Sequence, residues 1–264
     1  MYDDLPVSTN KARSSAEETW QFIADDLDFA ANNLPKEWDA ANKGRITKGA
    51  AYALKSRAML YAKRWQDAYD AANNVIALKL YGLTDKYEDA WKGNNKEAIL
   101  EFDYDAANGP NHLFDRYYVP QCDGYDNGST GTPTQEMVEC YESKNGEKID
   151  RSNSSQLAKG ALPLKYGMDP DMKDGQSGID VVIYRYADVL LTLAECINRN
   201  EGSPTTEAIG LVNRVRKRAG LSELDDAQTA SGEAFNEAIL LERGHEFYLE
   251  GPVSYTHLTL PTKR

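Results

Sequence analysis

The stretch from Arg45 to Ala77, RITKGAAYALKSRAMLYAKRWQDAYDAANNVIA, constrains the fold more than any other part of this chain. Ile46, Ala50, Leu54, Ala58 and Tyr61 recur at the three- and four-residue spacing of one helix face, and they predict a helix that Arg64 closes. Trp65, Ala68, Tyr69, Ala72, Val75 and Ile76 then form a second stripe, with small alanines where two backbones must approach closely. Two amphipathic helices joined by so short a link can only fold back on each other as a hairpin. Upstream, SSAEE offers two overlapping capping boxes, and Trp20, Ile23, Leu27, Ala30, Ala31 and Leu34 follow on one face. They predict a helix from about Ser15 to Leu34, ended by Pro35 and the polar PKEWDAANKG. Aromatic side chains alternating with small ones in paired helices are how tetratricopeptide (TPR) units pack. No strict repeat of about 34 residues is visible, so the hairpins are TPR-like only.

From Tyr81 to about Gly178 the helical period fades, and Gly, Asn, Asp, Pro and Ser crowd the chain. Within this loop-rich segment AILEFDY reads as a short strand, and TPTQEMVECYES as a short helix with Met137, Val138 and Tyr141 on its apolar side. Order returns at Asp180. IYRYADVLLTLAECINRN predicts one helix, SPTTEAIGLVNRVRKRAG a second with Gly220 as its C-cap, and GEAFNEAILLERGHEFYLEG a third. The apolar stripe of the second carries Ala208, Ile209, Val212, Val215 and Ala219; that of the third carries Phe235, Ala238, Ile239, Glu242, Glu246 and Leu249. The expected fold is therefore mostly α: one domain over 1–251, with TPR-like helices at 15–80, a loop-rich segment at 81–179 and C-terminal helices at 180–251. The last stretch, 252–264, PVSYTHLTLPTKR, has no helical period and reads as translated cloning or adapter sequence outside the fold.

Several function classes are excluded on chemistry. With 42 acidic and 30 basic side chains the net charge is −12, which repels a phosphate backbone, so no nucleic-acid partner is expected. Cys122, Cys140 and Cys196 are odd in number and widely spaced, and with three histidines they make neither a disulfide framework nor a zinc set. No apolar run approaches the roughly 20 residues of a membrane span, and the start lacks the features of a signal peptide. There is no phosphate-binding loop, dinucleotide fingerprint or nucleophile elbow; HEFYL lacks the second histidine of a zincin, and DGYDNG and DPDMKDG miss the calcium-loop register. No catalytic residue, cofactor or metal is expected.

Two groups of residues remain. Arg185, Asp188 and Glu195 sit among apolar side chains, which suggests ion pairs that lock helices: Arg185 with Asp188 one turn away, and Glu195 with Arg216 or Arg218 on the next helix. Glu242, Arg243, Glu246 and Glu250 read in the same way. Separately, 16 tyrosines against 6 phenylalanines mean that many rings keep a hydroxyl, as they do when one end is wet. Sugars present flat C–H faces and many hydroxyls, so the loop RYYVPQCDGYDNG is the candidate ligand contact, with Arg116, Tyr117, Tyr118, Asp123, Tyr125, Asp126 and Asn127. Trp38, Trp65 and Trp91 are expected in the core or against a partner.

IYRYADVLLTLAE, AIGLVNRVRKRAGL and ILLERGHEFYLEG resemble the three C-terminal helical signatures of SusD/RagB-like nutrient-binding lipoproteins. IADDLDFAANNLP, the hairpin above, YGLTDKYEDAWKGNNKEAILEF and TPTQEMVECYESKNG resemble that family's middle blocks, in the same order. The resemblance covers most of residues 15–251. It implies an α fold built on TPR-like helix pairs, a place at the Bacteroidetes outer-membrane surface, capture of a glycan or in some members a peptide, and docking on a SusC-like TonB-dependent transporter. The family's secretion signal and lipid-bearing cysteine are not in this sequence, the segment between SKNGEKIDRSN and LPLKYG is shorter than usual, and after EG the expected continuation is replaced. The chain therefore reads as a partial member. The rival reading is a TPR-type scaffold for a protein partner without a small ligand; a weaker one is a carbohydrate-active enzyme.

Overall fold

A computed structural model describes residues 13–113, 135–142, 165, 169 and 176–250. Helix α1 (Ala16–Asn33) starts on a capping box: the Glu18 amide donates to Ser15 Oγ at 3.1 Å, and the Ser15 amide donates to Glu18 Oε2 at 2.8 Å. Of the two overlapping boxes in the sequence, only the second sits at the point where the backbone enters the helix.

Helix α2 (Lys48–Tyr61) and helix α3 (Trp65–Ala77) form the predicted hairpin. Between them Lys63 takes a left-handed conformation, φ 59°, so that its own amide reaches Leu60 O and that of Arg64 reaches Met59 O. Those two bonds close a Schellman turn with lysine where glycine is usual. The predicted face of α2 is corrected. Ile46, Leu54 and Tyr61 are exposed, and the buried set is Gly49, Ala50, Ala51, Ala53, Ser56, Met59 and Leu60. The reason is that α2 lies between α1 and α3 and is contacted from both sides. Small residues therefore mark the contact surfaces, and the larger side chains emerge at the seam between them.

The C-terminal region is corrected at its start. Val181–Arg185 is a strand, β2, which pairs antiparallel with β1 (Ala98–Phe102), and only from Tyr186 does the chain become helical. The run VVIY is β-branched and apolar, and a neighbouring AILEF offers it a ladder; the helical period of the following residues masked this. Helix α5 (Tyr186–Glu201) is buried at every position from Tyr186 to Asn198. It is the central element, with α2, α3, α6 (Thr206–Arg218) and α7 (Gly232–Phe247) around it, and so it lacks the polar outer face of a surface helix. Helix α4 (Gln135–Cys140) is short and packs on α7 (Gly232–Phe247). Helix α6 (Thr206–Arg218) runs back along α5, capped at its start by Thr205 and ended by Gly220, φ 82°, in a second Schellman turn.

Candidate functional site

The charged side chains of the C-terminal helices converge on one buried cluster. Arg185 is 1 % exposed and makes five hydrogen bonds. Its Nη1 donates to Glu97 Oε1 and Glu246 Oε1, both at 2.6 Å, its Nε donates to Glu250 Oε2 at 2.7 Å, and its Nη2 donates to Glu246 O and Glu250 Oε1. Arg218 donates to the other oxygen of Glu97 at 2.7 Å and pairs with Glu246 Oε1. Lys165 pairs with Glu250, donates to Glu246 O at 2.8 Å and lies over the rings of Tyr87 and Trp91. Three cations thus meet three carboxylates from five parts of the chain, Glu246 and Glu250 lying four residues apart. Burial alone would raise the Glu250 carboxyl, but Arg185 and Lys165 outweigh it and hold it below its ordinary value. The carboxylates of Glu97, Glu246 and Glu250 are at most 4 % exposed, so no substrate reaches them. The cluster joins elements of the fold.

A second cluster centres on Asp188. Arg57 of α2 donates to Oδ2 through Nε at 3.0 Å and Nη2 at 2.5 Å, while Arg243 of α7 donates to Oδ1 at 2.6 Å and to Thr192 Oγ1 at 2.7 Å. The Arg57 guanidinium also stacks 3.8 Å from the centre of the Tyr184 ring. Burial works against the charge of Asp188, yet the two arginines dominate and bring its pKa down to about 2. In a third cluster Arg216 donates to Glu242 at 2.9 Å and to Glu142 at 2.7 Å. Here burial prevails: with Glu246 and Glu142 also near, the Glu242 carboxyl is pushed up to about 7 in spite of Arg216.

These contacts correct the predicted partners. Arg185 does not pair with Asp188, because it ends a strand and the one-turn spacing of a helix does not apply across that boundary. Glu195 does not reach Arg216 or Arg218. Helix α6 is antiparallel to α5, so its last turn lies beside the start of α5, and Glu195 is about 15 Å further along that axis. The cations nearest Glu195 are Arg243 and Arg199, each at 3.8 Å. Glu97, Arg57, Glu142 and Lys165 were not anticipated as partners. Arg57 and Glu142 lie off the apolar stripes read for their helices, Lys165 lies in the loop-rich segment, and Glu97 is marked only by standing immediately before the apolar AILEF.

The loop carrying Arg116, Tyr117, Tyr118, Asp123, Tyr125 and Asn127 lies outside the described residues. Of the tryptophans, Trp91 is buried and Trp38 and Trp65 are half-buried. Cys196 is fully buried and its thiol is pushed up by burial to about 12, so it is unreactive. Among the described residues, the carboxylates of Glu101, Asp103 and Asp180 lie within 4.8 Å of one another. They are the group able to hold a hard cation, and burial together with mutual repulsion raises the Glu101 and Asp180 pKa values. Three positions from two ends of the loop-rich segment form no sequence register, which is why the calcium-loop pattern could not show them.

Fold and buried charge together define a helical-hairpin scaffold whose frame is fixed by ion pairs. Residues 159–256 match the sequence profile of the SusD family, SusD_RagB. A SusD-like protein of Bacteroides ovatus is 26 % identical over 296 aligned residues, covering 89 % of this chain and 49 % of its own length. Among solved structures, a SusD-like protein from Bacteroides fragilis is 27 % identical with a TM-score of 0.70, over 95 % of this chain and 62 % of that one. The surface glycan-binding protein A of Bacteroides thetaiotaomicron, in complex with laminarihexaose, shares the fold at 20 % identity and a TM-score of 0.68, over 92 % of this chain and 61 % of that one. The C-terminal part of the chain thus matches the SusD family, and most of its length is similar to SusD-like proteins in sequence and fold. The chain spans about half the length of the curated relatives it matches.

Proposed function

We propose that the protein to which this chain belongs captures a glycan at the cell surface and hands it to a SusC-like TonB-dependent transporter. The observation that carries the reading is the scaffold itself, shared over nine tenths of this chain with a solved surface glycan-binding protein. The internal chemistry agrees, since the buried carboxylates of Glu97, Asp188 and Glu246 are paired with arginines and so serve the frame. Capture then rests on stacking and hydrogen bonding, and Arg116, Tyr117, Tyr118, Asp123, Tyr125 and Asn127 are the residues whose chemistry fits that task. No cofactor enters.

Calorimetric titration against a panel of oligosaccharides and peptides tests this. Saturable glycan binding without hydrolysis products supports it; peptide binding alone points to a RagB-type ligand, and hydrolysis points to an enzyme. A second reading, a scaffold for a protein partner only, is favoured by Phe22 and Phe29. They stand 65 % and 71 % exposed, seven residues apart on the outer face of α1. Binding of a transporter-type partner with no glycan or peptide bound would select that reading. A TonB-dependent transporter gene beside this one is expected on the glycan reading.

A further inference from the structure

We propose that a cleft between the 34–47 connection and β1 binds a neutral saccharide unit, as a contact point separate from the tyrosine-rich loop; this rests on the glycan reading above. The cleft has a volume of about 300 Å³ and two aromatic walls, Trp38 and Tyr81. That is the small end of ligand pockets, of a size for one or two sugar rings.

Both walls are set by the protein's own contacts. The Trp38 indole Nε1 donates to Ile46 O at 2.9 Å, and the Arg45 guanidinium lies 5.7 Å from the ring centre, so the plane of the indole is fixed from its edge and from one face. Tyr81 rests against the first turn of α2 at Gly49, where a Cβ would fall 2.2 Å from the phenol oxygen. Only glycine lets the ring lie there, and its hydroxyl comes to 3.5 Å from Thr47 Oγ1. On the rim Lys43 donates to Asn94 Oδ1 at 3.0 Å, Lys96 donates to Asp85 at 3.1 Å, and Glu101 accepts the Asn94 amide at 2.9 Å. A lining ordered before the ligand arrives lowers the entropic cost of binding.

The charge of the lining selects the ligand. Its lysines and Arg45 are nearly matched by Glu37, Glu101 and Asp103, so apart from the local carboxylate group of Glu101, Asp103 and Asp180 the cleft as a whole offers an ion little net attraction. Donors and acceptors nevertheless line the cleft together with the two aromatic rings. A ring with many hydroxyls and apolar C–H faces satisfies both features, whereas an apolar ligand would strand the charged groups.

Laminarihexaose, maltohexaose, xylohexaose and mannohexaose are titrated calorimetrically into the 264-residue chain, with hydroxyl-radical footprinting of the bound and free protein. For the saccharide that binds, Trp38→Ala is expected to weaken affinity about tenfold, Trp38→Phe to keep most of it, and Trp38 of the wild-type protein to gain protection. The footprint needs no variant and so stands even if Trp38→Ala folds poorly. Wild-type binding with unprotected Trp38 and unchanged affinity in Trp38→Ala overturns the cleft and leaves the glycan reading intact. No binding by the wild-type chain overturns the cleft, and no binding by the whole protein to which it belongs overturns the glycan reading as well.

Discussion

Replacing Arg185 by alanine is the sharpest probe of the charge cluster. The substitution removes five hydrogen bonds and leaves Glu97, Glu246 and Glu250 facing only Arg218 and Lys165, an excess of one buried negative charge. Breaking a buried pair from one side costs about 3–5 kcal/mol, because the partner stays buried and uncompensated. For a chain of this size each kcal/mol moves the melting temperature by about 2–4 °C, so a fall of roughly 6–20 °C is expected. Urea denaturation gives the free energy, and its pH dependence gives the cause. The stranded carboxylate has a folded-state pKa above its unfolded value of about 4.3, so the deficit is smallest below that pH and grows as pH rises through the folded value. Arg185→Lys keeps the charge but not the fork and should fall in between. A loss under about 1 kcal/mol, or a deficit that does not change with pH, would refute an electrostatic lock and leave Arg185 as packing.

The Glu242 carboxyl, at 4.5 unfolded and about 7 folded, favours the folded state fully below pH 4.5 and loses that contribution as pH rises through 7. Glu242→Gln should therefore flatten the fall in urea midpoint between pH 5 and 8; an unchanged slope would place the titration elsewhere. Asp188→Asn leaves Arg57 and Arg243 facing each other and should cost about 3–5 kcal/mol. With the Asp188 pKa taken from 3.8 down to about 2, that deficit should be flat above pH 5, as denaturation at pH 5 and 7 would show. Gly49→Ala drives a methyl into Tyr81 and should destabilise by about 1–3 kcal/mol, measured by thermal unfolding, with near-neutrality implying that the ring moves away freely.

Much of the fold was legible because helix formation here is local. The capping box at Ser15, the alanine stripe of α3 and the glycine after α6 are read within a few residues of where they act. The failures arise where distant chain decides. Val181–Arg185 became a strand because β1 lies beside it, and α2 turned its alanines inward because it has a neighbour on each side. The buried charges were legible as a class, since arginine and glutamate on an apolar stripe require partners. Their pairing was not, because Glu97 and Arg185 are 88 residues apart and meet only in three dimensions.

The β1–β2 ladder and the Glu97–Arg185 bond have a consequence for how such a protein changes. Together they clamp both ends of everything between Phe102 and Val181, so that the intervening chain leaves and re-enters the frame at one fixed gate. Closing a loop of twice the length across that gate adds only about 0.6 kcal/mol. Sequence between the parts of this segment that pack on the frame, such as α4 and Lys165, can therefore be lengthened or trimmed at little thermodynamic cost, while the helices behind the gate stay as they are.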